Sequence, residues 1–311
     1  MQIWLAQPRG FCAGVTRAID IVSLALQRFG APVYVYHEIV HNQHVVRTLR
    51  EQGAVFVDHL DDVPTGAVTV FSAHGVSRAV VNASGERGLF TLDATCPLVT
   101  KVHLQAQKFA RQGHHLVMVG HAGHEEVEGT IGSVDAPMQV VGSVADVQRL
   151  TWPATAPVAY VTQTTLSLDD ARDILEALHA RYPNLVGPEL DDICYATQNR
   201  QNAVRDLAQR VDLMLIVGAR NSSNSNRLRE VAERSGCEAH LIQDASELHA
   251  SWWQDKAQRI GIGSGASTPE VLVEQVVQSL VRQTGAQVLH QDGVREQVMF
   301  RLPRALEAQA A

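Results

Sequence analysis

Short apolar runs alternate with amphipathic segments of helical length along nearly the whole chain, and this alternation limits the fold more than any other feature. Strands are expected over residues 2–6, 33–36, 67–71, 116–119, 158–161, 213–217 and 259–263. Between them the apolar spacing predicts helices over 15–29, 44–52, 99–112, 168–181, 199–209, 227–235 and 269–284. Strands joined through crossover helices become parallel neighbours, so the pattern predicts an α/β protein with small, mostly parallel sheets flanked by helices. Ligands in such folds bind in the loops after the carboxyl ends of the strands.

Those loops contain an internal repeat in three copies. Each copy has a cysteine just before a helix: Cys12, Cys96 and Cys194. A strand then ends in a first polar loop, carrying His41, His124 or Ser222-Ser223-Asn224, and a later strand ends in a second, carrying His74, Thr164 or Ser267. From cysteine to first loop the steps are 29, 28 and 28 (12 to 41, 96 to 124, 194 to 222). To the second they are 62, 68 and 73 (reaching 74, 164 and 267). Any α/β chain can be cut into similar lengths, but here functional residue types recur at matching places. Three α/β lobes in a pseudo-threefold trefoil would bring all nine positions to one centre. The expected lobes are 1–95, 96–193 and 194–282, with a polar tail, 283–311, packing back on the first lobe.

Composition narrows the setting. A formal charge of −7 argues against a general nucleic-acid binder. No basic segment followed by an apolar stretch opens the chain, and the longest apolar runs, such as 211–218, cannot span a bilayer. Four irregularly spaced cysteines do not resemble a disulfide framework. A cytoplasmic protein with reduced cysteines and no membrane or nucleic-acid partner is expected.

A lone cysteine is usually a small buried hydrophobe, which is the reading for Cys237. Cys12, Cys96 and Cys194 each stand where a loop enters a helix, and there the unpaired amides and the helix dipole stabilise a thiolate. Thiolates ligate iron–sulfur clusters and zinc. A structural zinc site would ordinarily use four ligands, often in CxxC pairs, and this chain has no CxxC. Three thiolates would instead hold a cubane cluster and leave one iron without a protein ligand.

Hydroxyls, amides and imidazoles at His41, His74, His124, Thr164, Ser222, Ser223, Asn224 and Ser267 are donors suited to phosphate oxygens. Gly75, Gly123 and Gly265 beside them allow close backbone approach. The set suits a small diphosphate, while the absence of GxxxxGK[ST] argues against nucleotide hydrolysis. Glu126, in an enclosed site near anionic phosphates, is the candidate proton donor. Glu125 and Glu128 suit a solvated helix start, and Trp252-Trp253 suits packing.

Pro8-Arg9-Gly10-Phe11-Cys12-Ala13-Gly14-Val15, Ser72-Ala73-His74-Gly75-Val76-Ser77 and Asp93-Ala94-Thr95-Cys96-Pro97 resemble motifs of one family. So do Gly120-His121-Ala122-Gly123-His124, Thr162-Gln163-Thr164-Thr165-Leu166-Ser167, Asp191-Asp192-Ile193-Cys194-Tyr195 and Asn221-Ser222-Ser223-Asn224-Ser225-Asn226. The family is the 4-hydroxy-3-methylbut-2-enyl diphosphate reductases, the last enzymes of the non-mevalonate isoprenoid pathway, and the resemblance runs from residue 1 to about 303.

It implies three lobes around one [4Fe–4S] cluster held by Cys12, Cys96 and Cys194, with one open iron. It implies that His41, His74, His124, Thr164, Ser222, Ser223, Asn224 and Ser267 hold the substrate, with Glu126 as proton donor and Thr164 as relay. The implied reaction is reductive dehydroxylation of the allylic diphosphate to isopentenyl and dimethylallyl diphosphate, with electrons from an external ferredoxin or flavodoxin. Thr16 stands where an acidic residue is expected and Glu125 where proline is common. A non-redox cluster dehydratase, a quinolinate-synthase-like enzyme and a cluster-bearing sensor are the rival readings of the same cysteines.

Overall fold

The computed structural model describes residues 1–188, 192–254 and 257–307; Asp191 of the third cysteine motif and positions 308–311 of the expected tail lie outside them. The chain opens with β1 (Gln2–Leu5) and, after Cys12, α1 (Ala13–Phe29). Next come β2 (Val33–Tyr36), α2 (Gln43–Glu51), β3 (Ala54–Val57), β4 (Val68–Phe71), α3 (Arg78–Glu86) and β5 (Phe90–Asp93), which leads to Cys96. The second stretch is α4 (Pro97–Arg111), β6 (His115–Val119), α5 (Glu125–Ile131), β7 (Met138–Val141), α6 (Val144–Arg149), β8 (Val158–Thr162) and α7 (Leu168–Arg181). After Cys194 follow α8 (Tyr195–Ala208), β9 (Leu213–Val217), α9 (Ser223–Arg234), β10 (Glu238–Ile242), β11 (Arg259–Ser264), α10 (Glu270–Thr284) and β12 (Gln287–His290).

Local chemistry sets the helix starts. Ser77, Ser143, Ser167 and Ser222 each accept a hydrogen bond from the backbone N–H three residues on, capping α3, α6, α7 and α9. Gly285, at φ 66°, closes α10 in the left-handed conformation that glycine adopts without strain.

Every ladder between named strands is parallel, in three sheets ordered β10-β9-β11-β1-β12, β3-β2-β4-β5 and β7-β6-β8. β9 is apolar throughout and β8 apolar up to Thr162, and both are buried at every residue because helices cover both faces of their sheets. One face of the five-stranded sheet packs Leu215, Ile260 and Ile262 with Val276 of α10, and the other packs Met214 and Ile216 with Leu207 of α8 and Val231 of α9.

The sheets share one plan. A first strand (β2, β6, β9) has β3, β7 or β10 on one side and β4, β8 or β11 on the other. Beyond the latter stands β5 next to β4, β1 next to β11, and an isolated parallel bridge, Ala159 to Val186, next to β8. Each cysteine therefore follows the segment that occupies this fourth place. Because β1 pairs with β11 and β12, the start of the chain belongs to the sheet formed by the last strands.

The chain divides into two compact units. One comprises Met1–Ala13, His41–Val45 and Tyr195–Val298 and contains the five-stranded sheet. The other comprises Gly14–Val40, Val46–Cys194 and Met299–Ala311 and contains the other two sheets. Within the second, Arg17 of α1 donates Nε to the Arg301 carbonyl at 2.7 Å, which ties the C-terminal segment to that helix.

Candidate functional site

All the candidate substrate residues stand just beyond the carboxyl ends of strands. His41 follows β2, His74 follows β4, His124 follows β6, Thr164 follows β8, Ser222–Asn224 follow β9, and Ser267 follows β11. The three cysteines are free thiols, each partly exposed, and each directly precedes a helix. Cys96 is the N-cap of α4, with Pro97 at the first helical position. The first turns of α1, α4 and α8 contain no acidic residue, so nothing there cancels the positive helix end beside each thiol. Thr16, in place of an acid, contributes to this in α1.

A second link recurs three times. The backbone N–H of Cys12 donates to the Ala266 carbonyl (3.2 Å), that of Cys96 to Ala73 (3.0 Å) and that of Cys194 to Thr164 (3.1 Å). Each acceptor lies in a second polar loop, at or beside Ser267, His74 or Thr164. Each cysteine thus closes the sheet before it as much as it opens the helix after it.

In the larger unit a continuous network runs between Cys96 and Cys194. Ala73, bonded to Cys96, is followed by His74, whose Nδ1 lies 2.7 Å from the Glu125 carboxylate and whose ring meets that of His124 edge-on at 5.8 Å. His124 caps α5: its Nδ1 accepts the Glu126 N–H at 3.1 Å, so the neutral ring carries its proton on Nε2 as a donor. Glu126 is 2 % exposed, and Thr164 holds both its oxygens. The Thr164 N–H donates to Oε1 at 2.6 Å and the hydroxyl to Oε2 at 2.9 Å. The Thr164 carbonyl then receives the Cys194 N–H. Gln163, fully buried, accepts from the His121 N–H and donates to the Thr165 hydroxyl, joining the loops after β6 and β8.

Glu125 is not the solvated residue expected at a helix start, since its carboxylate faces His74; Glu128 is exposed as expected. Gly75 and Gly123 adopt φ of 82° and 80°, where a side chain would be strained. Against Gly75 stands His103 of α4, whose Nε2 is buried with no hydrogen-bond partner among the described residues. Burial lowers the His103 pKa to about 4, against the opposing charge of Asp93, so its ring is neutral.

In the other unit Cys12 sits in an equally constrained loop. Gly10, at φ 71°, donates its N–H to the Ser264 hydroxyl at 2.8 Å. Arg9 donates Nε and Nη2 to Glu270, and the Ala13 N–H donates to the Tyr195 hydroxyl at 3.3 Å. The Ala266 peptide joins Cys12 to Asn224, whose Oδ1 accepts the Ala266 N–H at 2.9 Å. The Ser267 hydroxyl donates to the His41 carbonyl at 3.1 Å, and Asn221 reaches His41 Nδ1 at 3.4 Å. Ser222 caps α9, and Ser223 is that helix's first residue. A Cβ on Gly218 or Gly265 would lie 2.2 or 2.1 Å from the Ser225 hydroxyl, so glycine lets β9 and β11 close on this helix end.

Two other expectations are met. Cys237 is packed in the core with Leu207 and Val211, a small buried hydrophobe as expected, and burial pushes its thiol pKa up to about 11. Trp253 is buried in the core, and Trp252 is stacked on His240 at 4.0 Å. Tyr195 and Gln163 were not singled out in the sequence, although both lie inside the quoted motifs.

Parallel sheets with donor-rich loops at the carboxyl ends of their strands, and free thiols at helix starts, define a class: α/β proteins whose ligand-binding positions are the loops after parallel strands. The family follows from comparison, since the "LytB protein" family model matches residues 3–281, and the chain belongs to that family. It is 56% identical over 308 residues to a 4-hydroxy-3-methylbut-2-enyl diphosphate reductase 2 of Bradyrhizobium diazoefficiens, covering 99% of this chain and 100% of the relative. A 4-hydroxy-3-methylbut-2-enyl diphosphate reductase of Burkholderia pseudomallei is 56% identical over 306 residues, 98% of this chain and 97% of that one. Among solved structures, the E-1-hydroxy-2-methyl-but-2-enyl-4-diphosphate reductase of Plasmodium falciparum superposes with a TM-score of 0.95 at 36% identity, covering 98% of this chain and 96% of that one. No helix among the described residues is long and apolar enough to cross a membrane.

Proposed function

We propose that this chain reduces 4-hydroxy-3-methylbut-2-enyl diphosphate to isopentenyl and dimethylallyl diphosphate, the last step of the non-mevalonate pathway. The substrate gains two electrons and two protons and loses its hydroxyl as water. Cys12, Cys96 and Cys194 are the ligands for one [4Fe–4S] cluster, and the donor set fits it: three free thiols at positive helix ends and no fourth cysteine able to join them. When bound, the cluster supplies the two electrons and a Lewis-acidic iron without a protein ligand.

The protein's own part is to bind the diphosphate and to move a proton. His41, His74, His124, Ser222, Ser223, Asn224 and Ser267 bring imidazole, hydroxyl and amide groups to the ends of parallel strands, where a diphosphate is held. The observation that carries the reading is the Glu126–Thr164 pair. A backbone N–H can only donate, so its bond to Oε1 leaves Oε2 as the oxygen that carries the acidic proton. Beside Oε2 is the Thr164 hydroxyl, which can accept that proton while giving its own to the departing hydroxyl. Electrons come from an external carrier such as ferredoxin or flavodoxin.

The test is anaerobic turnover of the diphosphate with a reduced donor, with products separated. Glu126→Gln keeps the cluster spectrum and loses most turnover. Conversion without electron consumption would favour a dehydratase, and a colourless protein after reconstitution would remove the cluster reading.

A further inference from the structure

Three cations near the cysteines have no part in the chemistry above. Arg17, five residues after Cys12 on α1, donates to the carbonyls of Thr95 (3.0 Å) and Asp93 (3.4 Å), just before Cys96. Lys101, five residues after Cys96 on α4, lies 3.6 Å from the buried carboxylate of Asp192, two residues before Cys194. Gln105, one turn further along α4, donates to both Asp192 oxygens at 2.7 and 3.0 Å when its amide nitrogen faces them. Arg200, six residues after Cys194 on α8, donates Nε and Nη2 to the Gly10 carbonyl at 3.2 and 2.7 Å, two residues before Cys12.

The helix behind one cysteine thus grips the segment ahead of the next, and the third returns to the first. We infer that Arg17, Lys101 and Arg200 are positioning residues that set the three cysteine loops in cyclic order, each from the helix of another. A cation bonded to a carbonyl or carboxylate is a charge-assisted donor, stronger than a neutral one. Arginine's fork spans two carbonyls at the first site and doubles on one at the third. A single arginine on a carbonyl would be ordinary packing. What sets the three apart is recurrence: a cation stands five, five and six residues after the cysteines, with the same direction of reach, alongside the recurring cysteine N–H bond. The purpose, three ligand loops held ready and three cations offsetting thiolate charge, rests on the cluster reading; the grip is a property of the polypeptide alone.

Hydrogen exchange on the reduced, metal-free full-length chain tests the grip. Arg17→Gln should speed exchange in residues 93–96 on the order of tenfold, the loss expected for a charge-assisted bond, and leave 10–12 and 192–195 unchanged. Arg17→Lys should recover part of the protection. Lys101→Gln combined with Gln105→Ala should loosen 192–195 alone, and Arg200→Lys should loosen 10–12 alone. Arg149→Gln, which breaks a pairing with Asp146 more than forty residues from any of these three cysteines, is the control. In the reconstituted protein, Arg17→Gln should also speed iron loss to a chelator and lower the cluster's reduction midpoint, and Arg17→Lys should preserve the midpoint. Wild-type exchange at 93–96 in Arg17→Gln, or equal loosening of all three segments, overturns the inference. A wild-type protein that takes up no cluster but shows the segment-specific pattern refutes the cluster reading and leaves the grip standing.

Discussion

Thr164 allows the proposed proton path to be broken at one atom. Thr164→Val removes the hydroxyl bonded to Glu126 Oε2 at 2.9 Å but keeps the backbone N–H on Oε1 at 2.6 Å and nearly the same volume. Glu126 is 2 % exposed, so no bulk water replaces the lost donor. Leaving one buried carboxylate oxygen without that partner costs about 1–3 kcal/mol of stability. The kinetic effect is larger, because a positioned acid–base group contributes about 10²–10⁴ in rate. A fall of about a hundredfold or more in kcat is expected for Thr164→Val, with KM for the diphosphate changed only a few-fold. Thr164→Ser restores the hydroxyl on the same backbone and should return kcat to within about tenfold of wild type. The assay is anaerobic steady-state turnover with a reduced viologen donor, with absorbance confirming equal cluster loading. If Thr164→Val turns over within a few-fold of wild type, or if the serine variant is as slow as valine, the relay is wrong.

Three further outcomes follow from the structure. Arg200 is 1 % exposed and bonds Gly10, Ala196 and both oxygens of Glu296, so Arg200→Met takes a donor from two buried carbonyls and from the partly exposed Glu296 carboxylate, which Asn199 also reaches, and should cost about 3 kcal/mol in urea unfolding; Arg200→Met with Glu296→Leu should recover part of this. His103 has its pKa lowered to about 4, so the unfolded chain binds its proton first as pH falls; stability should drop by about 3 kcal/mol between pH 6.5 and 4, a slope that His103→Gln flattens. Cys237, with its thiol pKa pushed up to about 11, should resist alkylation in the native protein, and Cys237→Ala should keep the full iron content that serine at Cys12, Cys96 or Cys194 removes.

The sequence was legible where burial on both faces makes a segment uniformly apolar. β2 and β9 match the expected spans, as does α7, whose Ser167 cap and acidic first turn mark its start. The strands that went unread, β3, β5, β7, β10 and β12, are all at sheet edges. An edge strand shows water much of its length: β5, Phe-Thr-Leu-Asp, buries only its leucine, and β12 buries none. Its apolar pattern is too short and interrupted to stand out from a loop. The short helices α3 and α6 escaped for the same reason, and α5 was read only by its acidic start. The repeat offsets pointed to the histidines, Thr164 and the serines because loops after parallel strands recur at regular lengths. The contact of Glu125 with His74 was illegible, since a glutamate in a first helical turn is explained equally well by the helix dipole. The Arg17, Lys101 and Arg200 links join residues 78, 91 and 190 positions apart (17 to 95, 101 to 192, 10 to 200), and no local pattern encodes such pairings.

The place of β1 has a consequence for how the protein is made. Gln2 pairs with Arg259, so β1 waits for a partner made 257 residues later (259 less 2). Until then the strand leading to Cys12 has no sheet to join, and Ser264, Ala266 and Arg200, which hold the Cys12 loop, are not yet available. Loop closure over such a span is slow compared with the local pairings inside the β2–β5 and β6–β8 sheets, which can form during translation. The Cys96 loop can thus be set early, while the Cys12 loop is set only after β11 and the turn behind it have been made. A chain interrupted before β11 therefore carries the Cys12 thiol without the contacts that fix its loop.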